Sequence, residues 1–149
     1  MNKWDDRFMQ MAKLVATWSS CFKDDRQVGA VIVRNKRILT TGYNGAPSGV
    51  ASCKERQECI RIIQGIKSGT MHEVCYAVHA EQNAIIQAAK LGVSLQDATI
   101  YCTHQPCSIC AKMIINSGIQ RVVFDQGYPD DFSMKMFAEA GLLVEKYIT

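Results

Sequence analysis

Apolar residues near the amino terminus recur at spacings of three and four: Trp4, Phe8, Met11, Leu14, Val15 and Trp18 share one face of a helix that ends near Ser19. The period then changes. Val28 to Val33 is a run rich in β-branched residues, Ile38 to Tyr43 is a second, and the turn-like Asn35, Lys36 and Arg37 between them predict a β-hairpin. From 46 to 78 the regular pattern is interrupted by Pro47, Gly49, Gly65 and Gly69, with a short helical pattern from Glu55 to Ile66. This stretch reads as an insertion between core elements of one domain covering 1–149. Helix formers dominate from Ala80 to Leu91, with Gly92 placed to cap them. There follow a strand (Ala98 to Cys102), a helix (Cys107 to Asn116, stopped at Gly118) and a strand (Gln120 to Phe124). A last helix (Asp131 to Ala140) and a short strand (Leu142 to Glu145) complete the series.

Strands alternating with helices after an opening hairpin predict a mixed five-stranded α/β sheet with helices on both faces. In such sheets a pocket opens at the carboxyl ends of strands, where helices begin. Two helix starts here carry unusual chemistry. His79-Ala80-Glu81 opens one and Pro106-Cys107-Ser108-Ile109-Cys110 the next, so one imidazole and two thiols can converge between them. Nitrogen and sulfur ligands of this kind favour zinc, and the positive end of a helix stabilises thiolates. Pro106 suits a helix start, where a missing N–H costs nothing. Three ligands with no evident fourth leave a tetrahedral position for water, the arrangement of a catalytic rather than a structural zinc. Glu81 is the proton carrier within reach. Its role is to take a proton from the water and hand it on to whatever the water attacks.

Composition narrows the substrate. The net charge is only +3, from 17 Lys and Arg against 14 Asp and Glu, and the basic residues are scattered. A small phosphorylated ligand suits that balance better than a nucleic-acid backbone. No stretch approaches the ~20 apolar residues that span a bilayer, and Asp5, Asp6, Arg7 and Lys13 stand where a signal peptide is apolar, so the expected location is cytoplasmic, without a membrane partner. The seven cysteines, at 21, 53, 59, 75, 102, 107 and 110, are odd in number and unevenly spaced, which points to metal ligands before disulfides.

A His-x-Glu followed by Pro-Cys-x-x-Cys is the signature of zinc-dependent nucleobase deaminases. The chain resembles the cytidine deaminase superfamily and, within it, the deoxycytidylate deaminases over nearly its whole length. His79 stands where free-nucleoside enzymes usually have Cys. Val28-Gly29-Ala30-Val31 followed by Gly42-Tyr43-Asn44-Gly45-Ala46-Pro47 is similar to the strand pair that carries substrate contacts, and Glu81-Gln82-Asn83-Ala84 resembles the family's helix continuation. The long 46–78 segment separates it from the tRNA adenosine deaminases.

The resemblance implies a three-layer α/β/α cytidine-deaminase-like fold and hydrolysis of dCMP to dUMP and ammonia for thymidylate synthesis. It also implies a homohexamer activated by dCTP with Mg2+ and inhibited by dTTP. Asn44 and Asn83 are candidate sugar and phosphate contacts, because an amide donates and accepts at once; Asn44 equally suits a tight turn. Arg26 suits a phosphate or an exposed ion pair, Tyr128 a base or ordinary packing, and Ala80 lies beside the substrate. Some members carry a structural zinc, and Cys21, Cys53, His72 and Cys75 are the residues for one here, buried free thiols being the alternative. Two other functions fit the same residues: an RNA or tRNA nucleobase deaminase, which needs a basic surface, and a non-catalytic zinc interaction module, which has no use for Glu81.

Overall fold

The computed structural model describes residues 1–22, 26–67, 70–71, 74–127 and 130–149. Its elements are α1 (Lys3–Ala16), β1 (Gly29–Arg34), β2 (Arg37–Tyr43), α2 (Cys53–Arg56), α3 (Ile60–Ile63), α4 (Ala80–Leu91), β3 (Thr99–His104), α5 (Ser108–Asn116), β4 (Arg121–Gln126), α6 (Asp131–Ala140) and β5 (Leu143–Lys146). The five strands form one sheet in the order β2-β1-β3-β4-β5. The β2/β1 and β1/β3 pairs are antiparallel, whereas β3/β4 and β4/β5 are parallel, as their intervening helices require. The expected mixed sheet with helices on both faces is what forms.

Residues of β1 point alternately into two cores. Ala30 and Ile32 meet Ala80, Ala84, Ala111, Ile114 and Phe137 under α4, α5 and α6. Val31 and Val33 meet Phe8, Met9, Ala12 and Val15 of α1 on the other face. Five of the six β1 residues are buried, which explains its unbroken apolar run. The hairpin turns on Asn35 and Lys36, both at positive φ (53° and 63°), the two-residue turn whose twist matches that of paired strands.

The face of α1 differs in part from the expected one. Phe8 and Val15 are buried and Trp4 and Met11 pack beside them, but Leu14 and Trp18 are exposed, and the buried stripe is Asp5, Phe8, Met9, Ala12, Val15 and Ala16. Small residues win because the helix lies directly on Gly29: a Cβ there would sit 2.2 Å from the Ala12 carbonyl oxygen and 2.6 Å from the Ala16 nitrogen. Asp5 belongs to this stripe because its charge is met. Its carboxylate accepts from the Tyr101 hydroxyl at 2.7 Å and from Arg121 at 2.7 and 3.2 Å, and Arg121 also binds Glu145 at 2.7 Å.

The segment from 46 to 78 leaves and rejoins the body at one point, where Gly45 and Val78 exchange two backbone hydrogen bonds. The single helix expected at 55–66 is replaced by two one-turn helices, because Gln57 adopts a left-handed conformation (φ 54°) that ends the first.

Candidate active site

His79 is the N-cap of α4 and Cys107 the N-cap of α5, both with extended backbone. Each therefore projects from the loop that enters its helix. The His79 N–H is held by Oε1 of Gln82 at 2.9 Å, and Pro106 is fully buried just before Cys107. Pro106 thus precedes the N-cap instead of opening the helix, where it keeps Gln105 extended. The depth of α4 is set by Gly42: a Cβ there would lie 2.2 Å from the Ala80 carbonyl oxygen and 2.5 Å from the Ala84 nitrogen.

These constraints bring His79, Cys107 and Cys110 together, with ligand atoms all within 4.8 Å of one another. Nδ1 of His79 is 3.3 Å from Cys110 Sγ and 3.6 Å from Cys107 Sγ. Usual Zn–N and Zn–S lengths at a tetrahedral angle require a nitrogen to sulfur distance of about 3.6 Å. The residues present fit zinc, which identifies Nδ1 as the nitrogen ligand. Hydrogen bonding from Cys110 and from the His79 ring holds the Cys107 thiol down at about 3, while that same contact and burial push Cys110 up. A divalent cation bound between them would favour the thiolate form of both.

Glu81, in the first turn of α4, is 4% exposed. Burial pushes its carboxyl up, against the pull of a hydrogen bond with Cys110 and the charge of His79. A carboxyl shifted in that direction holds a proton more readily than an exposed one, which suits a group that must take and return one.

His79, Glu81 and Cys107 line a cavity of about 480 Å³, a volume suited to a nucleotide-sized ligand. Arg26, Asn44 and Ala80 also line it. The Asn44 amide is already engaged, accepting from Val28 N at 2.8 Å and donating to the Arg26 carbonyl at 2.8 Å, so it shapes the wall that carries Arg26. Asn83 is not part of that wall; its Nδ2 donates to the Tyr43 carbonyl at 2.8 Å and ties α4 to β2. Tyr128 lies outside the described residues.

Sequence reading missed Arg61, His104 and Gln105 on the same wall. None belongs to a motif whose spacing marks it. The Thr103 hydroxyl accepts from Gly29 N at 3.0 Å and shares a hydrogen bond with Nδ1 of His104 at 3.0 Å. Burial keeps the His104 imidazole below its usual pKa. Gln105 presents a buried Oε1 that has no partner among the described residues.

Of the expected second zinc set, His72 lies outside the described residues. No other group of three potential ligands among those residues gathers as closely as His79, Cys107 and Cys110. Cys53 is nevertheless buried, and burial together with Cys75, Cys21 and Cys59 pushes its thiol up.

No helix among the described residues is long and apolar enough to cross a membrane. The family model for the cytidine and deoxycytidylate deaminase zinc-binding region matches residues 2–126. The deoxycytidylate deaminase of Saccharomyces cerevisiae is 41% identical over 145 residues, 97% of this chain, which spans only 45% of that relative's length. The deoxycytidylate deaminase of Mycobacterium phage D29 is 40% identical over 126 residues, covering 81% of this chain and 93% of the phage protein. The crystal structure of dCMP deaminase from the cyanophage S-TIM5 in complex with dCMP and dUMP superposes with a TM-score of 0.80 at 32% identity, covering 99% of both chains. With its zinc-ligand cluster inside the matched region, this chain belongs to the cytidine and deoxycytidylate deaminase family.

Proposed function

We propose that the chain hydrolyses deoxycytidylate (dCMP) to deoxyuridylate (dUMP) and ammonia, supplying dUMP for thymidylate synthesis. The observation that carries this reading is the gathering of His79, Cys107 and Cys110 at a nucleotide-sized cavity whose wall includes His79, Cys107 and the buried Glu81. The solved relative with dCMP and dUMP bound supports the choice of substrate.

His79, Cys107 and Cys110 would hold zinc, which would supply a Lewis acid that lowers the pKa of water. Glu81 takes one proton of the attacking water and delivers it to N3 of the cytosine ring, which lowers electron density at C4 so that the water oxygen adds there. Glu81 then takes the proton of the new C4 hydroxyl and passes it to the amino group, and the C4–N bond breaks to leave the uracil carbonyl and ammonia. Ala80, in the first turn of α4, forms part of the wall beside the base. Arg26, positioned through Asn44, faces the nucleotide, and Tyr128 is the candidate to lie against the base.

Family membership supports a cytoplasmic homohexamer with dCTP and Mg2+ as activators and dTTP as inhibitor. It also supports a structural zinc on Cys21, Cys53, His72 and Cys75. Two zinc ions per chain by elemental analysis is the expected result for that site, and one refutes it.

The direct test follows loss of cytosine absorbance with dCMP, deoxycytidine and dCTP as rival substrates. We expect dCMP to be preferred and Glu81→Gln to lower kcat by at least about 100-fold with zinc retained. Full activity in Glu81→Gln removes its role, and no turnover of dCMP by the zinc-loaded protein removes the reading.

A further inference from the structure

Arg61 is a buried cation that no carboxylate among the described residues pairs with. It stands in α3, is 9% exposed, and donates from Nη1 to the Met71 carbonyl at 2.6 Å and from Nη2 to the carbonyls of Lys67, at 3.0 Å, and Thr70. Carbonyl dipoles hold a guanidinium in place but do not neutralise it, and among the described residues no carboxylate pairs with it. A guanidinium stays protonated in proteins, so burial cannot be relieved by losing the charge. Among the described residues three of its five N–H donors are committed, which leaves Nε–H and one Nη1–H.

Arg61 lines the same cavity as the metal ligands, where the other charged residues of the described wall are Arg26 and Glu81. On the described wall two guanidiniums therefore face one carboxylate, and Arg61 carries donors that its carbonyl contacts do not use.

We infer that Arg61 receives the 5′-phosphate of the nucleotide and so sets the preference for nucleotide over nucleoside. This deepens the proposed function and rests on it. The three carbonyls, all from 67–71, hold the guanidinium ready, so little ordering is needed when phosphate arrives. The insertion thereby contributes a specificity residue to a reaction centre built wholly from the core. The rival role is a brace that only folds the insertion.

The test compares kcat/KM for dCMP and for deoxycytidine in the zinc-loaded full chain and in Arg61→Gln, alongside zinc content. We expect the dCMP value to fall about 100-fold, mainly through KM, as charge-assisted hydrogen bonds to phosphate are lost. The deoxycytidine value should stay within about threefold of the parent, so that the preference collapses. Equal losses for both substrates, or an unchanged preference, overturn the inference. Arg61→Lys, which keeps a point charge without the fork, guards against misfolding; its preference should fall about tenfold, and an unchanged one also overturns the inference. If the parent deaminates neither substrate, the proposed function fails. Calorimetry with dUMP against deoxyuridine then decides this inference alone: tighter binding of dUMP that Arg61→Gln abolishes supports it, and equal binding refutes it.

Discussion

Gly42→Ala converts a close backbone contact into a measurable displacement of the site. The new methyl carbon would start 2.2 Å from the Ala80 carbonyl oxygen and 2.5 Å from the Ala84 nitrogen, whereas real contacts of this kind stay beyond 3.0 Å. Both obstacles are backbone, so no side chain can swing aside, and α4 must back away by roughly an ångström. Overpacking of that size costs about 1–3 kcal/mol, and each kcal/mol lowers Tm by about 2–4 °C in a chain of this length. The displaced turn carries His79 and Glu81, and an ångström of misplacement at a reacting centre costs about 100-fold in rate. We expect a lower Tm in thermal denaturation together with a fall of about 100-fold in kcat/KM for dCMP. Gly29→Ala is the control, since its methyl carbon would lie 2.2 Å from the Ala12 carbonyl of α1, a helix that contributes nothing to the cavity wall. It should lose comparable stability and keep its zinc. A Gly42→Ala protein with parental Tm and kcat/KM refutes the claim that this contact sets the depth of the helix.

Cys110→Ser should leave less than one catalytic-site zinc per chain by elemental analysis and abolish turnover, whereas Cys102→Ser, a core position on β3, should alter stability and leave zinc in place; zinc loss in both would unseat the three-ligand assignment. The Asp5 carboxyl gives stability a defined dependence on acid. Burial alone would raise it, but hydrogen bonds from Arg121, Tyr101 and the Asn2 N–H hold it near 2, below the unfolded value of 3.8. Its contribution, about 2 kcal/mol, is complete above pH 3.8 and is lost as pH falls through about 2. Urea unfolding of Asp5→Asn across pH 2 to 6 should show that part of the acid dependence removed, and an unchanged profile refutes the assignment.

Much of the fold was legible because its punctuation is local. Gly92 ends α4 at φ 72° and the Asn35-Lys36 pair turns the hairpin, each a backbone demand met by the residue at that place. The zinc ligands were legible for the same reason, as residue type and spacing define them within two short segments. What escaped depends on partners far along the chain. On α1 the large apolar residues marked the buried side through Phe8 and Val15 but also drew in the exposed Leu14 and Trp18, because the helix is held close by Ala12 and Ala16 against Gly29, a contact no helical period reveals. No sequence pattern places Asp5 in the core, because its partner Arg121 lies 116 residues away. Arg61 had no motif, since backbone carbonyls of any residue type hold its guanidinium, and Asn44 and Asn83 turned out to be engaged with backbone through amides that composition leaves free to do either task.

The clasp between Asp5 and Arg121, with Tyr147 donating to Asp6 at 2.9 Å, fixes when the molecule can finish folding. The first helix is made early, yet the residues that neutralise its buried carboxylate and close over it come from the last two strands of the sheet and the turn beyond. During synthesis α1 therefore waits unsecured while nearly the whole chain emerges, its apolar stripe open to chaperones. Loop closure over more than a hundred residues makes its docking a slow step, and a ribosome stalled before β4 releases a chain that cannot latch.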